Sequence, residues 1–93
     1  MSETLQAGIS QDGAVELDLS GLKCPLPALR TRKALRALPP GARLAVTATD
    51  PLAGIDIPNV VREEGAALEA LERRGPAARF LIRRGAGRPA EQA

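Results

Sequence analysis

Ala66–Arg74, AALEALERR, is the stretch whose conformation separates two folds. Alanine, leucine, glutamate and arginine are strong helix formers, so propensity alone would run a helix straight through it. Two features oppose that. Gly65 stands immediately before it, and glycine suits the residue just past a helix end. A period of two is also available, with Leu68 and Ala70 on one side. Gly75-Pro76 marks a turn in either case. From these residues alone both conformations stay open.

The flanks are plainer. Arg79–Arg84 alternates, Phe80 and Ile82 against Arg79, Leu81 and Arg83, which predicts a half-buried strand. Upstream, Asp56 can N-cap a helix that holds Pro58 in its first turn, where the missing N–H costs nothing. Val60 and Val61 supply that helix's apolar face. Arg43–Thr49 sets Leu44, Val46 and Ala48 against Ala45, Thr47 and Thr49, a second strand closed by Asp50-Pro51. Ala14–Leu19 sets Val15, Leu17 and Leu19 against Glu16 and Asp18, a third strand, broken by Ser20-Gly21. Between these strands the period changes. From Pro27 to Leu38, Ala28, Thr31, Ala34, Leu35 and Leu38 share one arc, opposite Arg30, Arg32, Lys33 and Arg36. Pro39-Pro40-Gly41 ends that helix. Two amphipathic helices and at least three strands predict one sheet covered on one face. Residues 14–84 form the domain; 1–13 lack periodicity and read as a flexible lead-in, and 85–93, GAGRPAEQA, as a disordered tail.

Composition removes several kinds of chemistry. The 93-residue chain contains one cysteine and no histidine. An internal disulfide is therefore impossible, a zinc cage lacks ligands, and no Ser–His or Cys–His dyad can form. No resident metal or cofactor is expected. No apolar run is long enough to span a bilayer, and no secretory signal opens the chain, so a reduced, cytoplasmic setting is expected. Phe80 is the only aromatic residue, which weakens any stacking platform for single-stranded nucleic acid. The net charge is +2, yet no acidic residue lies between Leu19 and Thr49, where Lys23, Arg30, Arg32, Lys33, Arg36 and Arg43 cluster. Such a stretch attracts anionic groups or an acidic protein face, although an ordinary solvated helix face reads the same way.

Cys24 stands between the first strand and the basic helix. Both Cys24 and Leu26 precede a proline, which biases them toward extended geometry and places the helix start at Pro27. Free N–H groups there, with Lys23 beside them, are expected to favour the thiolate. A lone cysteine is often just a small core residue. Its loop position, ahead of a helix and at the head of a cationic arc, argues for function instead.

These residues carry a resemblance. Gly21-Leu22-Lys23-Cys24-Pro25-Leu26-Pro27, after a Leu-Asp strand and before a basic helix, resembles the CPxP signature of the TusA (SirA-like) family of small sulfur carriers. The likeness extends through Pro40-Gly41, Asp50-Pro51, Asp56-Ile57-Pro58 and Phe80-Leu81-Ile82-Arg83, roughly residues 14–84. It implies an α+β, two-layer α/β sandwich in the order βαβαββ, with one four-stranded mixed sheet covered on one face by two helices. On that order Ala66–Arg74 is a strand, tertiary context overriding propensity. It also implies that Cys24, supported by Gly21, Lys23, Pro25 and Pro27, accepts a persulfide sulfur from a cysteine desulfurase or rhodanese-like donor. The sulfur would pass to a cysteine-bearing acceptor protein in transfer RNA thiolation, molybdenum-cofactor assembly or sulfur oxidation. Arg32, Lys33, Arg36 and Asp50 would dock those partners. Gly54-Ile55 departs from relatives that are polar or basic there, so no partner contact is assigned to it. With no second cysteine to release the sulfur, the chain would be a carrier and co-substrate, monomeric when free, more than an autonomous enzyme. The rival reading is a basic nucleic-acid-binding or regulatory module with a structural cysteine.

Overall fold

The computed structural model describes residues 13–85 and the backbone of Ala7–Ile9. The elements run β1 (Ala7–Ile9), β2 (Val15–Leu19), α1 (Leu26–Ala37), β3 (Arg43–Ala48), α2 (Ala53–Glu63), β4 (Ala67–Arg74) and β5 (Ala77–Arg83). One mixed sheet has the order β1-β2-β3-β5-β4. β2 and β3 are parallel, joined by the α1 crossover, and the remaining pairs are antiparallel. The βαβαββ, two-helix sandwich expected from the sequence is therefore present.

The opening stretch is a strand because α2 is closed firmly just before it. Gly65 takes φ +71°. Its N–H donates to the Arg62 carbonyl at 3.1 Å, and the Ala66 N–H to the Val61 carbonyl at 2.9 Å. Those two crossed bonds form a Schellman closure, which a glycine at the left-handed position allows without a Cβ penalty. Helix propensity in AALEALERR then has no helix to extend, and β4 pairs with β5 along its length. A register shift between Leu68 and Ala70 breaks the period of two within it. Leu68 and Leu71 consequently face the same side as Ile82 and Phe80, and Ala70 the other, where the sequence reading had put Leu68 and Ala70 together.

Two further boundaries differ from expectation. Ala7–Ile9, inside the span read as a flexible lead-in, adds a fifth strand at the β2 edge. Three residues carry no period, so only pairing with β2 reveals them. The remaining residues of that lead-in before Gly13, and those of the tail from residue 86, lie outside the described residues. Helix α2 begins at Ala53, not at Asp56, which places Asp56 in the first turn and Pro58 within the helix. Asp50 prepares that start: its Oδ2 accepts the Leu52 N–H at 3.2 Å and its carbonyl the Ala53 N–H at 3.0 Å.

The core lies between the helices and one sheet face. Leu44 pairs with Ile82, Val46 with Phe80 and Ala48 with Ala78, so all six share that face. Leu35 of α1 and Ala53, Ile57, Val60 and Val61 of α2 close over them. The opposite face carries ion pairs, Arg79–Glu16 at 2.7 Å and Glu69 with Arg43 and Arg83 at 3.0 and 2.7 Å. Among the described residues, no helix is long and apolar enough to cross a membrane.

Candidate functional site

Cys24 occupies the loop that carries the chain from β2 to α1. Gly21 turns it with φ +87°, and its N–H donates to Thr49 Oγ1 at 2.8 Å, tying the loop to the end of β3. The Leu22 N–H donates to the Leu19 carbonyl at 3.1 Å and the Leu26 N–H to the Lys23 carbonyl at 2.8 Å. The Cys24–Pro25 peptide is cis. The thiol lies at the surface, next to the starts of both helices.

Helix α1 begins at Leu26, one residue before the expected Pro27, with Pro25 as its N-cap residue. Pre-proline bias at Leu26 is overcome, since Pro27 still sits in the first turn, where helices tolerate it. This start offers sulfur little positive charge. Pro25 and Pro27 have no N–H, and that of Leu26 is committed to Lys23. The expectation of a favoured thiolate also meets an opposing contact. Cys24 Sγ donates a hydrogen bond to Asp56 Oδ2 at 3.1 Å. That bond, some desolvation and the negative charges of Asp56 and Asp50 push the thiol above its ordinary range, because each favours the neutral form. Asp56 is the site residue the sequence did not reveal. Its apparent role as a helix cap hid it, and only the fold brings it to a cysteine 32 residues away.

The expected docking residues separate into two groups. Arg32 donates to Glu63 at 2.6 Å and to Glu64 at 2.8 Å. Arg36 grips Glu64 through Nε and Nη2, both at 2.9 Å. The Glu64 side chain is only 5% exposed, so the two arginines neutralise a buried carboxylate and bind α1 to the end of α2. Lys33 and Arg30 are exposed and make no ion pair among the described residues. Asp50 sits beside the thiol and starts α2, as above. Lys23 and Pro25 are exposed at the loop, and Pro27 is buried under α1.

An exposed apolar rim runs along the starts of both helices. Leu26 and Leu29 at the start of α1 are 40% and 54% exposed, and Leu52 and Ile55 at the start of α2 are 48% and 62% exposed. The Cys24–Asp56 bond joins the loop before α1 to the first turn of α2, the two elements whose starts carry these four side chains. Large aliphatic groups left in water at two helix starts joined through a thiol mark a contact surface. The helical arc read from the sequence left out Leu26 and Leu29, and their exposure is the signal it lacked.

A family model described as sulfurtransferase TusA matches residues 15–84. The sulfur carrier protein TusA of Allochromatium vinosum is 42% identical to the chain over 69 residues, which cover 74% of this chain and 91% of that protein. With the fold, the loop and the matched span in agreement, the chain belongs to the TusA family.

Proposed function

We propose that the protein is a sulfur carrier that holds a persulfide on Cys24. The observation that supports this most is the placement of its one cysteine as an exposed free thiol in the loop before α1, bonded to the start of α2, with four aliphatic side chains exposed at those two helix starts. A buried structural cysteine would need neither. Loading is thiol–persulfide exchange with a desulfurase or rhodanese-like donor. Cys24 Sγ bonds to the donor's outer sulfur, the donor's S–S bond breaks toward its inner sulfur, and the proton lost by Cys24 returns to that leaving thiol. An acceptor cysteine repeats the exchange on the sulfur now held by Cys24. No net oxidation occurs, so neither redox cofactor nor internal second cysteine is required.

Docking in this reading uses the apolar rim with Lys33, Arg30 and Asp50 at its border. Arg32 and Arg36 join only where an acidic partner group competes with Glu63 and Glu64. Their commitment to those glutamates also weakens the rival reading as a nucleic-acid-binding module, which needs free cations to neutralise phosphates. The carrier would work in the cytoplasm and be monomeric between encounters. Intact-mass measurement after incubation with a desulfurase and cysteine, or with a polysulfide, tests the proposal. A gain of one sulfur atom that disappears in Cys24→Ala supports it; no gain with any donor, or an equal gain in the variant, refutes it.

A further inference from the structure

Every glutamate among the described residues is paired with an arginine: Glu16 with Arg79, Glu63 with Arg32, Glu64 with Arg32 and Arg36, Glu69 with Arg43 and Arg83, and Glu72 with Arg74. Asp56 has no such partner. Among the described residues, its carboxylate accepts a hydrogen bond from the sulfur, 3.1 Å away. The α1 start across from it supplies no acidic residue in its first turn, and its two prolines remove donors that would otherwise compete for the thiol. The charged groups facing Cys24 are thus Asp56 in α2, Asp50 in the preceding loop and Lys23 in its own loop.

We propose that Asp56 positions Cys24 and receives its proton. This rests on the carrier reading of the same site and assigns it a second residue. With Sγ–H pointed at Oδ2, the empty carrier rests as an aimed, protonated thiol. When a donor persulfide reaches the rim, Sγ forms the new S–S bond as its proton moves to Asp56 Oδ2. The donor's S–S bond breaks, its electron pair stays on the inner sulfur, and Asp56 passes the proton to that sulfur, which leaves as a thiol while the carboxylate is restored. Atoms and charge balance without an oxidant. A carboxylate in hydrogen-bond contact with the reacting atom is placed for that transfer. The same contact restrains the idle thiol from indiscriminate reaction, since the thiolate is the nucleophile.

The two roles predict effects of opposite sign in Asp56→Asn. Alkylation of Cys24 by iodoacetamide near neutral pH should become several-fold faster, with its pH profile moved to lower pH. Sulfur loading from a small-molecule persulfide should become several-fold slower, and Asp56→Glu should restore part of both. An unchanged alkylation profile, or loading that accelerates in step with alkylation, overturns the proposal. Titration of the wild-type thiolate by ultraviolet absorbance checks the resting state without any variant. A midpoint below that of an ordinary cysteine also overturns it. Failure of the wild type to load at all, with the alkylation shift intact, would count against the carrier reading and leave the Asp56 contact standing.

Discussion

Thr31 shows how one residue can satisfy a pattern and still leave a cost. It lies at 0% exposure on the inward face of α1, as its helical spacing predicts, but its hydroxyl has no hydrogen-bond partner. A buried hydroxyl without a partner costs about 1–3 kcal/mol, whereas valine has nearly the same shape. Thr31→Val should therefore raise the unfolding free energy by about 1 kcal/mol, measured by urea denaturation. An equal loss would mean the hydroxyl is satisfied in solution. Cys24 is the converse. Its place at the surface was legible because a lone cysteine in a strand-to-helix loop is conspicuous, but its bond to Asp56 was not. The prolines that make the motif recognisable also remove two N–H groups from the helix start, and the carboxylate bonded to the sulfur comes from α2.

Among the elements, alternation was enough to find β2, β3 and β5, since each buries one face against the helices. It failed for β4, an edge strand whose eight residues are all exposed and whose register shift spoils the period. There the fold is decided outside the strand, by Gly65 closing α2. The α1–α2 contact was equally hidden: the cations of α1 read as a docking face, and only the fold sets Glu63 and Glu64 at the end of α2 against Arg32 and Arg36. Hydrogen bonds from Arg36, outweighing burial, and from Arg32 hold the Glu64 carboxyl below its usual range. A depressed folded value means that its stabilisation is complete above the unfolded value of about 4.3 and is lost as pH falls through the folded one. Glu64→Gln should cost about 1–3 kcal/mol at neutral pH. The variant should also lose less stability than the wild type on acidification below about pH 4, measured as thermal midpoint against pH. Parallel curves would show that Glu64 is not held as described.

For the whole molecule, one buried aromatic anchors the sheet to its helices. Phe80 is fully buried in β5, an interior strand of the sheet, and is the only aromatic side chain in the chain. Phe80→Ala should destabilise by about 3–5 kcal/mol, much of the stability of a domain this small; a loss under 1 kcal/mol in chemical denaturation would contradict its place in the core. The fold's purpose, in this account, is to bring two helix starts and one thiol to a single exposed edge. The most direct measurement is peptide mapping of the chain after incubation with a desulfurase and cysteine, followed by an acceptor thiol. One added sulfur atom should be confined to the peptide containing Cys24 and be removed when the acceptor is supplied. Added sulfur elsewhere, or none on Cys24, would contradict it.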